Sequence, residues 1–483
     1  MSSVDFLTLL PAIILIGWAC LLLLGDVFLP AAQKKWIGPL SLVGLIGAGA
    51  GMVPWASSQG LVGFGGMLRA DAYSLFIGSL FLGSAVIVVL LALSYLPQQG
   101  LDRAEFYVLL LFSLSGMLLI TQATDLIIVF IALEMLSIPL YILAGLARPR
   151  LTSEEAALKY FLLGSFATGF IVYGTALVYG AARSTNLLQI VAAVEAGKAT
   201  LSLLVVGAAL IFVGLGFKVA VVPFQMWTPD VYEGSPSVVT AFMSVGAKAA
   251  GFAALLRVFV TAFPAIAGQW ASVAAIVAAI TMIVGNFAAI PQANLKRLLA
   301  YSSIAHAGYL LVGVVAAGSA GVVGLSVSSV VFYLFAYAAA NLGAWAVVIA
   351  VERVDGNGLK VDEYAGLGRR HPALALAMTV FMFSLTGLPP TVGFVAKFGV
   401  FRAALESGYL WLVIIGVLTS ILSAFYYLRV VVVMFMRDGE AVAASRPALN
   451  LAVGVTAIAT VALGILPAPL LAWASQALLV VSR

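Results

Sequence analysis

Apolar runs of twenty or more residues recur from one end of this 483-residue chain to the other. About twenty such residues are what an α-helix needs to cross a bilayer, so the pattern predicts an all-α polytopic membrane protein. We read fourteen spans, roughly 6–30, 37–56, 73–96, 105–122, 125–147, 155–181, 201–228, 236–262, 268–290, 298–318, 324–350, 373–401, 407–433 and 449–480. Hydrophobic residues make up 63% of the chain and charged ones only 9%, which leaves no room for a soluble domain. The longest polar connection runs from Glu352 to Pro372, and no Pro/Ser-rich or like-charge linker divides the chain. The expectation is therefore one membrane domain over 1–483, with an N-terminal part (1–104), two helical repeats (105–262 and 268–433) and a C-terminal helix (449–483). The first apolar run lacks a basic leader and a small-residue cleavage site, so it is expected to stay in the mature protein.

The net charge of +5 does not point to nucleic acid, because the basic residues sit in short connections between spans. Those connections set the orientation, since cytoplasmic loops are enriched in Lys and Arg. The loops after odd-numbered spans carry Lys34, Lys35, Arg103, Arg148, Arg150, Lys296, Arg297, Arg353, Lys360, Arg369, Arg370, Arg429, Arg437 and Arg446. The other side carries only Arg69, Arg183, Lys198, Arg257, Arg402 and Arg483. Both termini are thus expected outside, and the Pro229–Pro236 loop inside. The single cysteine, Cys20, lies in the first apolar run, and there are two histidines. That inventory offers no disulfide and no ligand set for zinc, haem or an iron–sulfur cluster.

Six ionisable side chains fall inside apolar spans: Glu134, Lys159, Lys218, Lys248, His306 and Lys397. A charge near the bilayer centre costs about 2.5–3.5 kcal/mol on insertion scales, so it is rarely found there without a partner, a water cavity or a task. Glu134 lies about midway along its span, and Lys218 is its natural partner. Burial disfavours a charged lysine and a neighbouring carboxylate favours it, so moving that carboxylate changes whether the lysine holds its proton. The alternative is a structural ion pair that fixes helix packing. Lys159 is close enough to the inner end of its span to snorkel. Lys248 is too central for that. His306 suits either a packing role or a relay, because imidazole does both.

Spans seven and twelve are both longer than a straight crossing needs, both are interrupted by proline (Pro223; Pro389 and Pro390), and both carry a lysine (Lys218; Lys397). Five helices separate them, and an odd-numbered repeat inverts its orientation. Spans 4–8 and 9–13 are therefore expected to form two inverted five-helix repeats, as in secondary transporters, with the broken helices marking the transport path.

These residues carry a resemblance that covers essentially the whole chain. The stretch Phe-Lys-Val-Ala-Val-Val-Pro-Phe-Gln-Met-Trp-Thr-Pro-Asp-Val-Tyr-Glu-Gly-Ser-Pro, followed by Ser-Val-Gly-Ala-Lys-Ala-Ala-Gly-Phe, resembles the subunit N family of proton-pumping NADH:quinone oxidoreductase, respiratory complex I. The resemblance implies fourteen helices, Glu134 and Lys218 as a paired switch, Lys248 as central relay and Lys397 as the group facing the outer half-channel. It also implies that FMN, iron–sulfur clusters and quinone sit on other subunits, with neighbouring antiporter-like subunits in the bilayer as partners. Fourteen spans with the first three present resemble a bacterial or plant-type member more than the shortened animal mitochondrial form, and a bacterial plasma (cell inner) membrane is the expectation. Many relatives have histidine just after the helix-breaking proline, where this chain has Gln225, which holds water but carries no proton.

Two other classes share these features. A cation/proton antiporter or membrane hydrogenase subunit of the same superfamily would keep every buried lysine, and a scaffold would use its ion pairs only to hold helices together. The loop charges give a direct test of topology. Single cysteines at Ser2 and Ser482 should react with an impermeant thiol reagent from outside, and one at Asn357 only from inside; labelling of position 2 from the cytoplasmic side alone would reverse the assignment.

Overall fold

A chain in hydrocarbon must satisfy every backbone N–H and C=O internally, and apolar segments do so as helices. The computed structural model describes residues 2–56 and 60–479, so the positions at Ser482 and Arg483 lie outside the described residues. In chain order the helices are α1 (Ser3–Phe28), α2 (Ile37–Gly51), α3 (Ala72–Gln99), α4 (Ala104–Gln122), α5 (Leu126–Ala144), α6 (Leu151–Ala182), α7 (Leu187–Glu195), α8 (Leu201–Val219), α9 (Trp227–Gly234) and α10 (Ser237–Ala262). They continue with α11 (Ala267–Ala289), α12 (Leu295–Ala316), α13 (Val323–Val351), α14 (Leu367–Arg370), α15 (Pro372–Thr386), α16 (Val392–Glu406), α17 (Leu410–Met436), α18 (Pro447–Ile465) and α19 (Ala468–Gln476). Among the described residues thirteen segments are long and apolar enough to cross a membrane. The span missing from that set is span twelve, the pair α15 and α16, broken as expected. Span seven is likewise split, into α8 and α9. A two-stranded departure from all-helix is the small antiparallel pair Leu61–Gly63 with Leu68–Ala70.

Two repeats of opposite orientation are visible in backbone hydrogen bonds. At the start of α5, Leu126 N donates to Thr185 O (2.9 Å) and Leu187 N to Thr124 O (2.9 Å). At the start of α12, Leu295 N donates to Leu359 O (2.7 Å) and Val361 N to Ala293 O (2.8 Å). Each bridge joins an N-cap residue, Asp125 or Asn294, to the segment beyond the next span. The chain crosses five times from the start of α5 to the start of α12, so the bridges sit on opposite faces. The helix breaks match as closely. After α8, Ala220 is left-handed (φ 63°), Val221 N reaches Gly216 O (3.0 Å) and Phe224 N reaches Val221 O (2.7 Å). After α15, Gly387 is left-handed (φ 89°), Leu388 N reaches Phe383 O (3.0 Å) and Thr391 N reaches Leu388 O (3.1 Å). Both are six-to-one helix stops followed by proline, which cannot continue the helix.

The centre is built from α10, every residue of which is buried, with α12 and α13 packed against it. Small residues allow this. A Cβ on Gly246 would meet Met117 Sδ at 2.9 Å, and one on Gly251 would meet Val219 Cγ1 at 2.6 Å. The periphery keeps large apolar side chains outward, such as Phe166, Tyr173, Ile421 and Ile458, as a lipid-facing surface requires.

One residue assigned to an outer loop lies elsewhere. Arg257 is within α10, 2% exposed, and bonds Asp71 through both nitrogens (2.8 and 2.9 Å). It also donates to Thr121 O (2.5 Å) and Ser74 Oγ (3.0 Å) and stacks over Tyr73 (4.8 Å). Asp71 caps α3, Thr121 ends α4, so one guanidinium clamps three helices. Sequence position showed a basic residue near a span end; the fork-on-fork pairing, which needs α3 beside α10, was hidden. Asp71→Ala would leave this cation buried without its counter-charge, a loss of about 3–5 kcal/mol. Thermal denaturation of the purified protein in detergent should show a clear drop in midpoint, and an unchanged midpoint would remove the clamp from the stability argument.

Candidate functional site

Lys218 occupies the last turn of α8, where the free carbonyls and the negative end of the helix dipole favour a cation. Its ammonium donates to Ser137 Oγ (2.7 Å) and sits 5.7 and 5.6 Å from the ring centres of Tyr141 and Tyr160. Glu134, half-buried on the same helix as Ser137, instead accepts from Thr168 Oγ1 (2.8 Å) on α6. The expected direct Glu134–Lys218 pair is therefore not formed; Ser137, about one turn along α5, takes the lysine. Sequence gives the depth of a residue along its helix, but which side chain meets it depends on helix rotation.

The second lysine is central. Lys248 on α10 donates to Ser303 O on α12 and lies 5.9 Å from the Tyr337 ring, whose hydroxyl donates to Ser303 Oγ (2.9 Å). Lys218 approaches the same helix, because Gly251 leaves room for its stem: a Cβ there would meet Lys218 Cγ at 3.4 Å. From Ser303 the polar groups continue along α12. His306 Nδ1 is 2.8 Å from Tyr333 Oη and its Nε2 3.3 Å from Tyr427 Oη, while Tyr427 and Ser302 share a 2.5 Å hydrogen bond. One turn on, Tyr309 faces Lys397, whose ammonium is 4.5 Å from the ring centre. Lys397 donates to Thr386 O (2.8 Å) and Ser420 Oγ (2.7 Å). Thr386 is the last residue of α15, so the helix break supplies the carbonyl.

Lys218, Lys248 and Lys397 are all buried, at 7%, 2% and 5% exposure, and among the described residues none makes an ion pair. Neutral hydroxyls, carbonyls and aromatic faces hold them. Lys159 differs. It is 40% exposed and pairs with Asp230 (2.6 Å) on α9 and Glu155 (2.7 Å). Asp230 also pairs with Arg297 (2.9 Å), which holds Glu233 (2.7 Å), so the far half of the first broken helix is fixed by a charge network. In the register set by the two helix breaks, Lys397 corresponds to Asp230 and not to Lys218. Asp230 and Glu233 lay in the stretch that carried the family resemblance, beside the break; only their ion partners were out of reach of the sequence. Gln225, in the first break, has a buried Oε1 without a hydrogen-bond partner among the described residues. No cluster of His, Cys, Asp and Glu able to hold a metal is found among them.

Comparison with known proteins decides the family. The chain is 47% identical over 483 residues to NADH-quinone oxidoreductase subunit N of Chloroflexus aggregans, covering 99% of this chain and 98% of that one. The chain belongs to the subunit N family of NADH-quinone oxidoreductases. The same family's Trichlorobacter lovleyi member is 44% identical, with 99% of this chain and 97% of that one covered. The family described as NADH:quinone oxidoreductase/Mrp antiporter, TM matches residues 123–423, which hold both broken helices and Lys218, Lys248 and Lys397. A chain of respiratory complex I from Thermus thermophilus superposes with a TM-score of 0.82 at 36% identity, covering 96% of this chain and 99% of that one. A chain of the Mrp complex from Dietzia shares the fold, with a TM-score of 0.84 at 23% identity, covering 99% of this chain and 97% of that one.

Ser137 gives the site its sharpest test, because its hydroxyl is the lysine's only hydrogen-bond acceptor among the described residues. A bond to a charged group is worth about 1.5–3 kcal/mol, so Ser137→Ala should slow the NADH:quinone turnover for which the relatives are named by roughly ten- to hundredfold, while Ser137→Thr keeps the hydroxyl and the rate. Rates per assembled complex would check this; a full rate in Ser137→Ala takes the hydroxyl off the path.

Proposed function

We propose that this chain is a proton-translocating subunit of NADH:quinone oxidoreductase, spanning a bacterial plasma membrane with both termini periplasmic. In this reading FMN, iron–sulfur clusters and quinone belong to other subunits, and neighbouring antiporter-like subunits flank it in the bilayer. The observation that carries the reading is the buried row Lys218, Lys248, His306 and Lys397, linked by hydroxyl and aromatic groups and free of counter-ions. A lysine held by neutral partners can lose and regain a proton without stranding a buried carboxylate.

The mechanism that follows is electrostatic. A charge change arriving from neighbouring subunits shifts Glu134, which acts on Lys218 through space and through the α5 turn carrying Ser137. Lys218 passes its proton toward Lys248. The groups around Ser303 and His306 carry it to Lys397, which releases it on the outer side. The step against the membrane potential costs about 2.3 kcal/mol per 100 mV, so the switch must change the lysine's proton affinity by at least that. Gln225 orients water at the first break and holds no charge itself, which its amide chemistry supports.

Lys218→Ala tests the reading. The complex should assemble and keep NADH oxidation by artificial acceptors, yet lose most quinone-linked turnover and proton uptake. Near-normal pumping in an assembled Lys218→Ala complex would take this lysine out of the mechanism.

A further inference from the structure

Among the described residues Asp71, Asp125 and Glu352 are the buried carboxylates, and only Glu352 has a buried oxygen without a hydrogen-bond partner. Glu352, at the end of α13, is 6% exposed; its Oε1 accepts from Tyr95 Oη (3.1 Å) and its Oε2 has no partner among the described residues. It lines a cavity of about 300 Å³ with Arg150, Glu233, Lys296 and Arg353, on the face where the basic loops gather. A polar cavity of that size holds water, since one molecule needs only about 10–15 Å³ of probe volume.

From this cavity a polar stripe runs inward on each of two packed helices. On α13 the residues Glu352, Trp345, Asn341 and Tyr337 are seven, four and four apart, which is one helix face. On α10 the residues Ser237, Ser244 and Lys248 are seven and four apart, again one face. The stripes meet: Asn341 Nδ2 donates to Ser244 Oγ (2.6 Å), and the Tyr337 ring lies against Lys248. Tyr95 joins the outer ends, accepting from Ser237 N (3.2 Å) while donating to Glu352. All these side chains are buried, yet Ser237 Oγ, Trp345 Nε1 and Asn341 Oδ1, with Glu352 Oε2, lack partners among the described residues. An orphaned buried polar atom costs about 1–3 kcal/mol, and apolar residues of similar size would avoid it, so four along one seam argue for a wet path and against inert packing.

We propose that Glu352 and the α10–α13 seam form a proton intake leading directly to Lys248, separate from the one at Lys218. Glu352 takes a proton from the water of the cavity and releases it inward, its carboxylate being restored as Lys248 gains the proton. Asn341 and Ser244 cannot titrate; they hold the connecting water. The proposal rests on the reading of the lysine row given above.

The test uses the assembled complex in membranes. Glu352→Gln and Asn341→Leu should each slow proton uptake and quinone-linked turnover roughly tenfold, while Glu352→Asp, which keeps a titratable group, retains most of the rate. NADH oxidation by an artificial acceptor reports equal assembly. In a Cys20→Ser background, Asn341→Cys should react with a small hydrophilic thiol reagent added from the basic-loop side. Full rates in both Glu352→Gln and Asn341→Leu, or an unreactive Asn341→Cys, overturn the intake. Lys248→Ala run alongside separates the two readings: if it stops uptake while the Glu352 and Asn341 variants pump normally, only the intake falls, and if it too pumps normally the lysine row falls with it.

Discussion

An ammonium placed in the middle of a membrane protein without a carboxylate beside it is the constraint on which this structure turns. Lys218, Lys248 and Lys397 are such groups, and each is stabilised by oxygen dipoles in place of a charge: Ser137 Oγ for Lys218, Ser303 O for Lys248, Thr386 O and Ser420 Oγ for Lys397. Two of them sit where a helix stops. A helix C-terminus leaves carbonyls unpaired and carries a partial negative charge, worth about 0.3–1 kcal/mol to an exposed cation and up to about 2 in partly buried settings. Breaking α8 from α9 and α15 from α16 is thus what lets Lys218 and Lys397 be buried. The left-handed Ala220 and Gly387 make the stops, and the prolines that follow keep the helices from resuming.

The inverted repeat supplies both breaks from one backbone plan, but the charges on it differ. In the first half, the lysine precedes the break and the matching position beyond it is Asp230, held by Lys159 and Arg297. In the second half, the lysine itself occupies the position beyond the break, and its neighbours are neutral. One half is anchored by a salt-bridge network at the face rich in basic loops; the other leaves its cation uncommitted. A pseudo-symmetric scaffold with asymmetric charge has a direction, which a strictly repeated pair of sites would lack.

Apolar run length was enough to read the fourteen spans, and proline inside a long run was enough to read both breaks, because these signals act along one helix. The depth of each buried lysine was legible for the same reason. What failed was lateral. Glu134 and Lys218 were expected to touch, and the rotation of α5 presents Ser137 instead, with Glu134 turned to Thr168. Arg257 looked like a loop charge, since its partner Asp71 is far away in sequence and comes near only when α3 packs on α10. Glu352 was read as the first residue of a polar connection, and only the packing of α3, α10 and α13 shows that it is buried. Each miss concerns which helix faces which, a relation that hydropathy does not encode.

The contrast between Arg257 and the lysines carries the last step. Arg257 is buried as deeply as Lys248, but it binds one carboxylate through two nitrogens, and separating such a pair costs about 3–5 kcal/mol. Moving one charge against 100 mV costs about 2.3 kcal/mol, so a transfer that also broke this pair would cost more than twice as much. A single hydrogen bond from an ammonium to a hydroxyl or carbonyl is worth about 1.5–3 kcal/mol, a smaller addition to the same transfer. The difference in partner chemistry separates Arg257, which holds helices together, from Lys218, Lys248 and Lys397, the groups proposed above to carry protons. Neutral ligation of Lys218, Lys248 and Lys397 keeps the cost of releasing a proton low, which is what the proposed relay requires of them.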